Sequence, residues 1–125
     1  MSHNVLIDFQ IRSLEELKET CESLGIEFIE GQKTFQSYQQ GRCDHAIRIP
    51  GASYEIGVKA EKDGTYSLQW DPYYVGGLTN KIGEDASVLK QAYRKTQLQH
   101  EARKMRKRII LEEKLEGGVI HLRLA

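Results

Sequence analysis

Trp70-Asp71-Pro72-Tyr73-Tyr74-Val75-Gly76-Gly77-Leu78 is the stretch that decides the fold, because the hydrophobic period of the chain changes across it. Before it, Tyr66, Leu68 and Trp70 alternate with polar residues, as in a strand with one buried face. Pro72 has no amide donor and ends that strand. After it, Leu78, Ile82, Leu89, Tyr93, Ala102 and Met105 recur near one face of a helix, with Gly83 as the expected break. A sheet built upstream therefore hands over to a long helix.

Further upstream, Val5, Ile7, Phe9 and Ile11 alternate with Leu6, Asp8 and Gln10, the pattern of a first strand. Ser13-Leu14-Glu15-Glu16 is a capping box, in which the serine hydroxyl accepts from the first helical turn and Glu16 reaches back to the cap. Leu14, Leu17, Cys21 and Leu24 follow at helical spacing, and Gly25 supplies a left-handed stop. Residues 26–30, 46–49 and 54–60 read as strands. Asp63-Gly64 marks the turn from 54–60 into the strand that ends at Trp70. The polar segment 32–42, with Phe35 and Tyr38 embedded, reads as a mobile loop or a weakly patterned edge strand. Beyond the helix, residues 109–115 and 119–124 around Gly117-Gly118 are expected to form a C-terminal hairpin.

The order β-α-β-β-β-β-α-β-β lacks the regular alternation of a doubly wound sheet. It predicts one α+β domain over residues 1–125, a mainly antiparallel sheet of four to six strands with two helices packed on one face. A chain of 125 residues can build one core without metal or disulfide staples. No apolar run reaches the roughly 18 residues of a membrane span. The N-terminus has no basic and apolar leader, and two cysteines are too few for a secreted disulfide framework. A cytoplasmic protein that does not bind membranes is expected.

The zero net charge hides an asymmetry. Residues 1–89 carry 14 acids and 8 bases, while residues 90–108 carry 8 bases and only Glu101 against them. An anionic partner is therefore compatible with the neutral average.

Met1-Ser2-His3 before a strand, Asp44-His45-Ala46-Ile47-Arg48, Tyr54-Glu55-Ile56-Gly57-Val58, Gly77-Leu78-Thr79-Asn80 and Gly117-Gly118-Val119-Ile120-His121-Leu122-Arg123-Leu124 occur in that order. Together they resemble the hypothetical chloroplast reading frame thirty-five family of plastids, cyanobacteria and other bacteria. The resemblance covers nearly the whole chain through short motifs, and the run Arg103-Lys104-Met105-Arg106-Lys107-Arg108 is more basic than the family pattern. It implies a small soluble α+β domain and imports no catalytic residue; no cofactor is expected. It also hints at a larger ATPase as partner, and at the plastid stroma as location if the source is a plastid.

Three constellations carry candidate chemistry. The basic helix, with Arg94, Arg103, Arg106 and Lys107, can neutralise phosphates, and Tyr73, Tyr74 and Tyr93 can stack on bases. Against that, the first helix is acidic (Glu15, Glu16, Glu19, Glu22), and the two helices can complement each other or a second copy. Cys43-Asp44-His45 contains three metal-ligating types, with His3, His100 or His121 as completing ligands, but in a strand only Cys43 and His45 share a side. The same pair read as a thiol nucleophile and base has no orienting third residue. In the turn, Tyr73 and Tyr74 are consecutive, so at least one must face outward, and Gly76-Gly77 permits close approach of a partner. The expected function is a non-enzymatic accessory or adaptor domain that binds another protein, either a larger ATPase or a second copy of itself. Its contact residues are Tyr73, Tyr74, Gly76, Gly77, Arg94, Arg103, Arg106 and Lys107, with no catalytic or metal-binding residue. The alternative is a nucleic-acid-binding module using the basic helix and nearby tyrosines.

Overall fold

A computed structural model describes residues 4–116, with side chains through residue 108. The chain runs β1 (Val5–Ile11), α1 (Leu14–Leu24), β2 (Glu27–Ile29), β3 (Thr34–Phe35), β4 (Gly41–Arg42), β5 (His45–Arg48), β6 (Glu55–Ala60), β7 (Tyr66–Trp70), a short α2 (Leu78–Ile82) and the long α3 (Ser87–Glu116). Five strands form one antiparallel sheet in the order β1-β7-β6-β5-β2, and β3 and β4 form a separate ribbon. The α+β class, the antiparallel sheet and its two packed helices follow the sequence pattern.

Alternation decides the two faces of the sheet. Ile56 and Val58 of β6 pair with Ile47 and Leu68 and point into the main core. Leu17 and Cys21 of α1 and Leu89 and Tyr93 of α3 close that core from above. The α1 ends are set as the sequence predicts. The Glu16 amide donates to Ser13 Oγ at 3.3 Å. Gly25, at φ 70°, returns its N–H to Glu22 O, and Ile26 N–H reaches Cys21 O. In β1 the register shifts between Ile7 and Ile11, so those two residues are buried while Val5 is exposed and Phe9 only half-buried.

The opposite face holds the largest departures from expectation. Of the two readings for residues 32–42 the strand one is nearer: β3 and β4 pair as a short ribbon over the sheet and seat Phe35, fully buried, with Cys43 and Ala46. A Cβ on Gly57 or Gly41 would lie within 2.4 Å of the Phe35 ring, so both glycines are the floor for that ring. Glu55, also on this face, accepts from the Gln36 amide, Gln32 Nε2 and Arg48 Nε. Periodicity did not expose this arrangement, because one aromatic in a polar segment has no period.

The break at Gly83 is present, and it separates α2 from α3. Gly83 has φ 86° and ψ 164°, a region open only to glycine, and Asp85 and Ala86 follow at φ 57° and 55°. The strand expected over 109–115 is instead the end of α3, which continues to Glu116. Leu, Glu and Lys dominate that segment, and no glycine or proline interrupts it before Gly117, so helical propensity outweighs the paired apolar residues. The partner strand expected over 119–124 lies outside the described residues.

Gly57→Ala places a methyl group into the Phe35 ring and is expected to destabilise the protein by about 1–3 kcal/mol in urea titration. Pairing it with Phe35→Leu should recover part of that loss, and an unchanged midpoint in the single variant would mean the ring is not seated there.

Candidate functional site

The 73–77 turn begins at Asp71, whose carboxylate is fully buried at the exit of β7. Its Oδ1 accepts from the Tyr73 amide at 3.1 Å, while Oδ2 has no hydrogen-bond partner among the described residues. Tyr74–Gly76 then make one tight 3-10 turn. The Gly76 carbonyl accepts from both Ser53 and Tyr54 amides, at 2.9 and 3.2 Å. A Cβ on Gly76 would sit 2.1 Å from the Tyr54 ring, so the ring rests directly on the backbone. Gly77, at φ 81°, passes within contact of Ala52 and heads α2.

The consequence is a rigidly held turn whose apolar side chains face solvent. Tyr74 is 73% exposed and Val75 57%, with Tyr73 at 41%, and the two rings lie 4.8 Å apart. Both tyrosines face outward, one more than the sequence required. Trp70 and Leu68 are buried in the main core, and Tyr66 is half-buried against it.

The basic residues separate into different settings. Arg94 is exposed, its guanidinium 5.2 Å from the Phe9 ring centre. Arg103 is exposed and lies 3.7 Å from Glu19 of α1. Arg106 and Lys107 are exposed and have no carboxylate partner among the described residues. At 1.5 Å per residue, Arg106 stands roughly 28 Å along the axis from the start of α3, beside which α2 and the turn sit. The eight expected contact residues thus do not form one surface: the turn, with Gly76 itself buried, sits beside the start of α3, Arg106 and Lys107 lie far along it, and Arg94 and Arg103 meet Phe9 and Glu19 in between.

Between them lies a polar cluster that the sequence did not announce. Glu16, 3% exposed, receives both Nε and Nη2 of Arg12 at 3.0 Å. The Tyr93 hydroxyl donates to the same carboxylate at 2.9 Å and accepts from the Arg12 amide at 3.1 Å. His100 bridges Glu16 at 3.5 Å and Glu19 at 2.5 Å, and Arg12 Nη1 reaches Glu101. The forked guanidinium and the phenol hold the Glu16 carboxyl below the ordinary carboxylate range despite its burial, while burial and that carboxylate push the Tyr93 hydroxyl up. The capping box was real at Ser13, but Glu16 turns inward to this cluster instead of reaching back.

Cys43, Asp44 and His45 are each occupied otherwise. A bend at Asp44 divides them: Cys43 packs with Phe35 and Ala46, while His45 lies against Phe28 and Tyr66. The two therefore do not share a side, contrary to the reading as a continuous strand. Cys43 Sγ donates to Gln32 O, His45 Nδ1 accepts from the Gly31 amide, and Asp44 Oδ2 accepts from Ala60 N. Burial raises the Cys43 thiol and pushes Cys21 up to about 12, the opposite of an activated nucleophile. Among the described residues no group of three or more His, Cys, Asp or Glu is arranged to hold a metal. Nor is any described helix long and apolar enough to cross a membrane.

Fold and surface together define an α+β domain whose distinguishing features are an aromatic turn and a projecting basic helix. No family model, curated protein or solved structure matches the chain.

Because the Glu16 carboxyl is depressed in the folded state, its contribution is complete above the unfolded glutamate value and is lost as pH falls through the lower folded value. Stability measured by denaturant titration from pH 6 downward, over about three pH units, should fall through that window. Glu16→Gln should flatten this fall, and a variant with the wild-type profile would remove Glu16 as its source. Tyr93→Phe, which deletes one hydroxyl that both donates and accepts, is expected to cost about 1–2 kcal/mol.

Proposed function

We propose that this chain is a non-enzymatic accessory or adaptor domain that binds another protein, using the 73–77 turn and the basic α3 as its contact surface. The observation that carries this reading is the outward display of Tyr73, Tyr74 and Val75 on a backbone clamped by Gly76 against Tyr54 and Ser53. Large aromatic side chains with polar tips on a preorganised backbone lose little entropy on binding and often dominate interface energy. Burial of both thiols and the structural use of Asp44 and His45 support a binding role over catalysis.

The resemblance to the hypothetical chloroplast reading frame thirty-five family belongs to the same reading, and with it a larger ATPase as the kind of partner and a cytoplasmic or stromal location. Capture from native lysate tests the reading. A partner retained by the wild-type chain should be lost, or weakened by about tenfold, with Tyr74→Ala. A variant that retains every partner at full strength would count against the turn.

The projecting basic segment supports a second reading, nucleic-acid binding. Lys104, Arg106, Lys107 and Arg108 are all exposed on α3, a cluster of cations that suits phosphates. Single-stranded DNA binding should then weaken steeply between about 0.05 and 0.2 M salt, and a flat response would remove this alternative.

A further inference from the structure

The face of α3 turned away from the body has its own pattern. Leu89, Tyr93, Thr96 and His100, spaced by four, three and four, form the packed side. Diametrically opposite run positions 88, 91, 95, 98, 102 and 105, spaced alternately by three and four as in the seam of a coiled coil. Their residues are Val88, Gln91, Lys95, Leu98, Ala102 and Met105, all exposed; Leu98 is 66% and Met105 52% accessible. A shallow groove lined by Arg94, Lys95, Leu98 and Ala102 lies on this side of the helix. Arg94 flanks the seam on the side of Phe9, Arg106 lies toward its other edge, and Lys95 stands in the seam itself on the Arg106 side.

Two occupants supplied by the chain itself fit poorly. A second α3 laid along the seam would bring two segments of charge +7 together, which is repulsive. The outward face of α1 has the complementary sign, with Glu15, Glu19 and Glu22, but between them it offers Lys18 and Ser23 and no exposed apolar side chain to meet Leu98 and Met105. What complements an apolar seam edged by cations is an apolar seam edged by carboxylates.

We propose that this seam of α3, with Leu98, Ala102 and Met105 between Arg94, Lys95 and Arg106, docks an acidic amphipathic helix of a partner protein. The proposal rests on the adaptor reading above and names the kind of element the partner supplies. Knobs from that helix pack over Leu98 and Met105, while its flanking carboxylates meet the three cations and set its register. The ordered stem of α3, anchored through Tyr93 and His100 to α1, needs no folding on association.

The test uses the full chain and a designed helical peptide about four heptads long, with leucines at the seam positions and glutamates flanking them. A scrambled peptide of identical composition and a lysine-flanked peptide serve as comparisons. At about 0.15 M salt the patterned acidic peptide should bind at least about tenfold tighter than the scrambled one and not be matched by the lysine version. Leu98→Asp with Met105→Asp should abolish that advantage, as should Lys95→Glu with Arg106→Glu; all four positions are exposed, so the fold should persist by circular dichroism. Tyr74→Ala should leave peptide binding unchanged. Equal binding of patterned and scrambled peptides would reduce the interaction to charge alone and overturn the seam. A lysate partner released by Tyr74→Ala but indifferent to both seam variants would overturn the seam while the adaptor reading stands. Binding to single-stranded DNA or phosphatidylglycerol vesicles with no peptide and no protein partner would overturn both.

Discussion

The fork between Arg12 and Glu16 is the constraint on which the rest of the molecule depends. A carboxylate at 3% exposure is unfavourable unless its oxygens are filled, and here they accept from the Arg12 guanidinium and the Tyr93 phenol, with the His100 ring 3.5 Å away. Arg12 lies in the turn between β1 and α1, Glu16 in the first turn of α1, and Tyr93 and His100 on α3. Satisfying one buried charge therefore fixes where the sheet edge, the first helix and the long helix meet. Thr20 and Thr96 add a hydroxyl pair to the same helix interface, 3.1 Å apart. Apolar packing of Leu17, Cys21 and Leu89 supplies the driving force nearby, but the polar cluster sets the rotation of α3 about its own axis.

That rotation determines what α3 offers to solvent. With Tyr93 and His100 held inward, the stripe through Leu98 and Met105 is turned outward, and the cations divide between it and α1. Arg103 is drawn toward Glu19, whereas Arg94, Lys95 and Arg106 edge the outer stripe. At the other end of the helix, the aromatic turn is fixed by a different device, the seating of Gly76 beneath Tyr54. The two surfaces are thus positioned independently, one by a buried ionic cluster and one by a close backbone approach.

Legibility varied with how local the physical cause was. Ser13 and Gly25 cap α1 through contacts within a few residues, and both were readable. The strands β5, β6 and β7 were readable because alternation is a property of neighbouring residues. Phe35 was not, since its seat consists of two glycines, one six residues ahead and one on β6, and neither carries a pattern. Glu16 was misjudged only partly for that reason: the fork from Arg12 is four residues away, but a phenol 77 residues away completes it, and together they outcompete the reach back to the serine cap. Ala102 and Met105 had been assigned to the packed face, but nine and twelve residues beyond Tyr93 the helix has turned them to the far side, and both are exposed.

By itself the sequence determined the class of fold, the ends of the first helix, the break at Gly83 and the charge asymmetry of the chain, because each is written in residue type and short spacing. Only the tertiary structure decided which acids α3 consumes, that Cys43 and His45 part company at a bend, and which side of the basic helix is left to solvent. Those outcomes depend on contacts between residues distant in the chain, where the desolvation of a single carboxylate or the fit of a single ring outweighs any local preference.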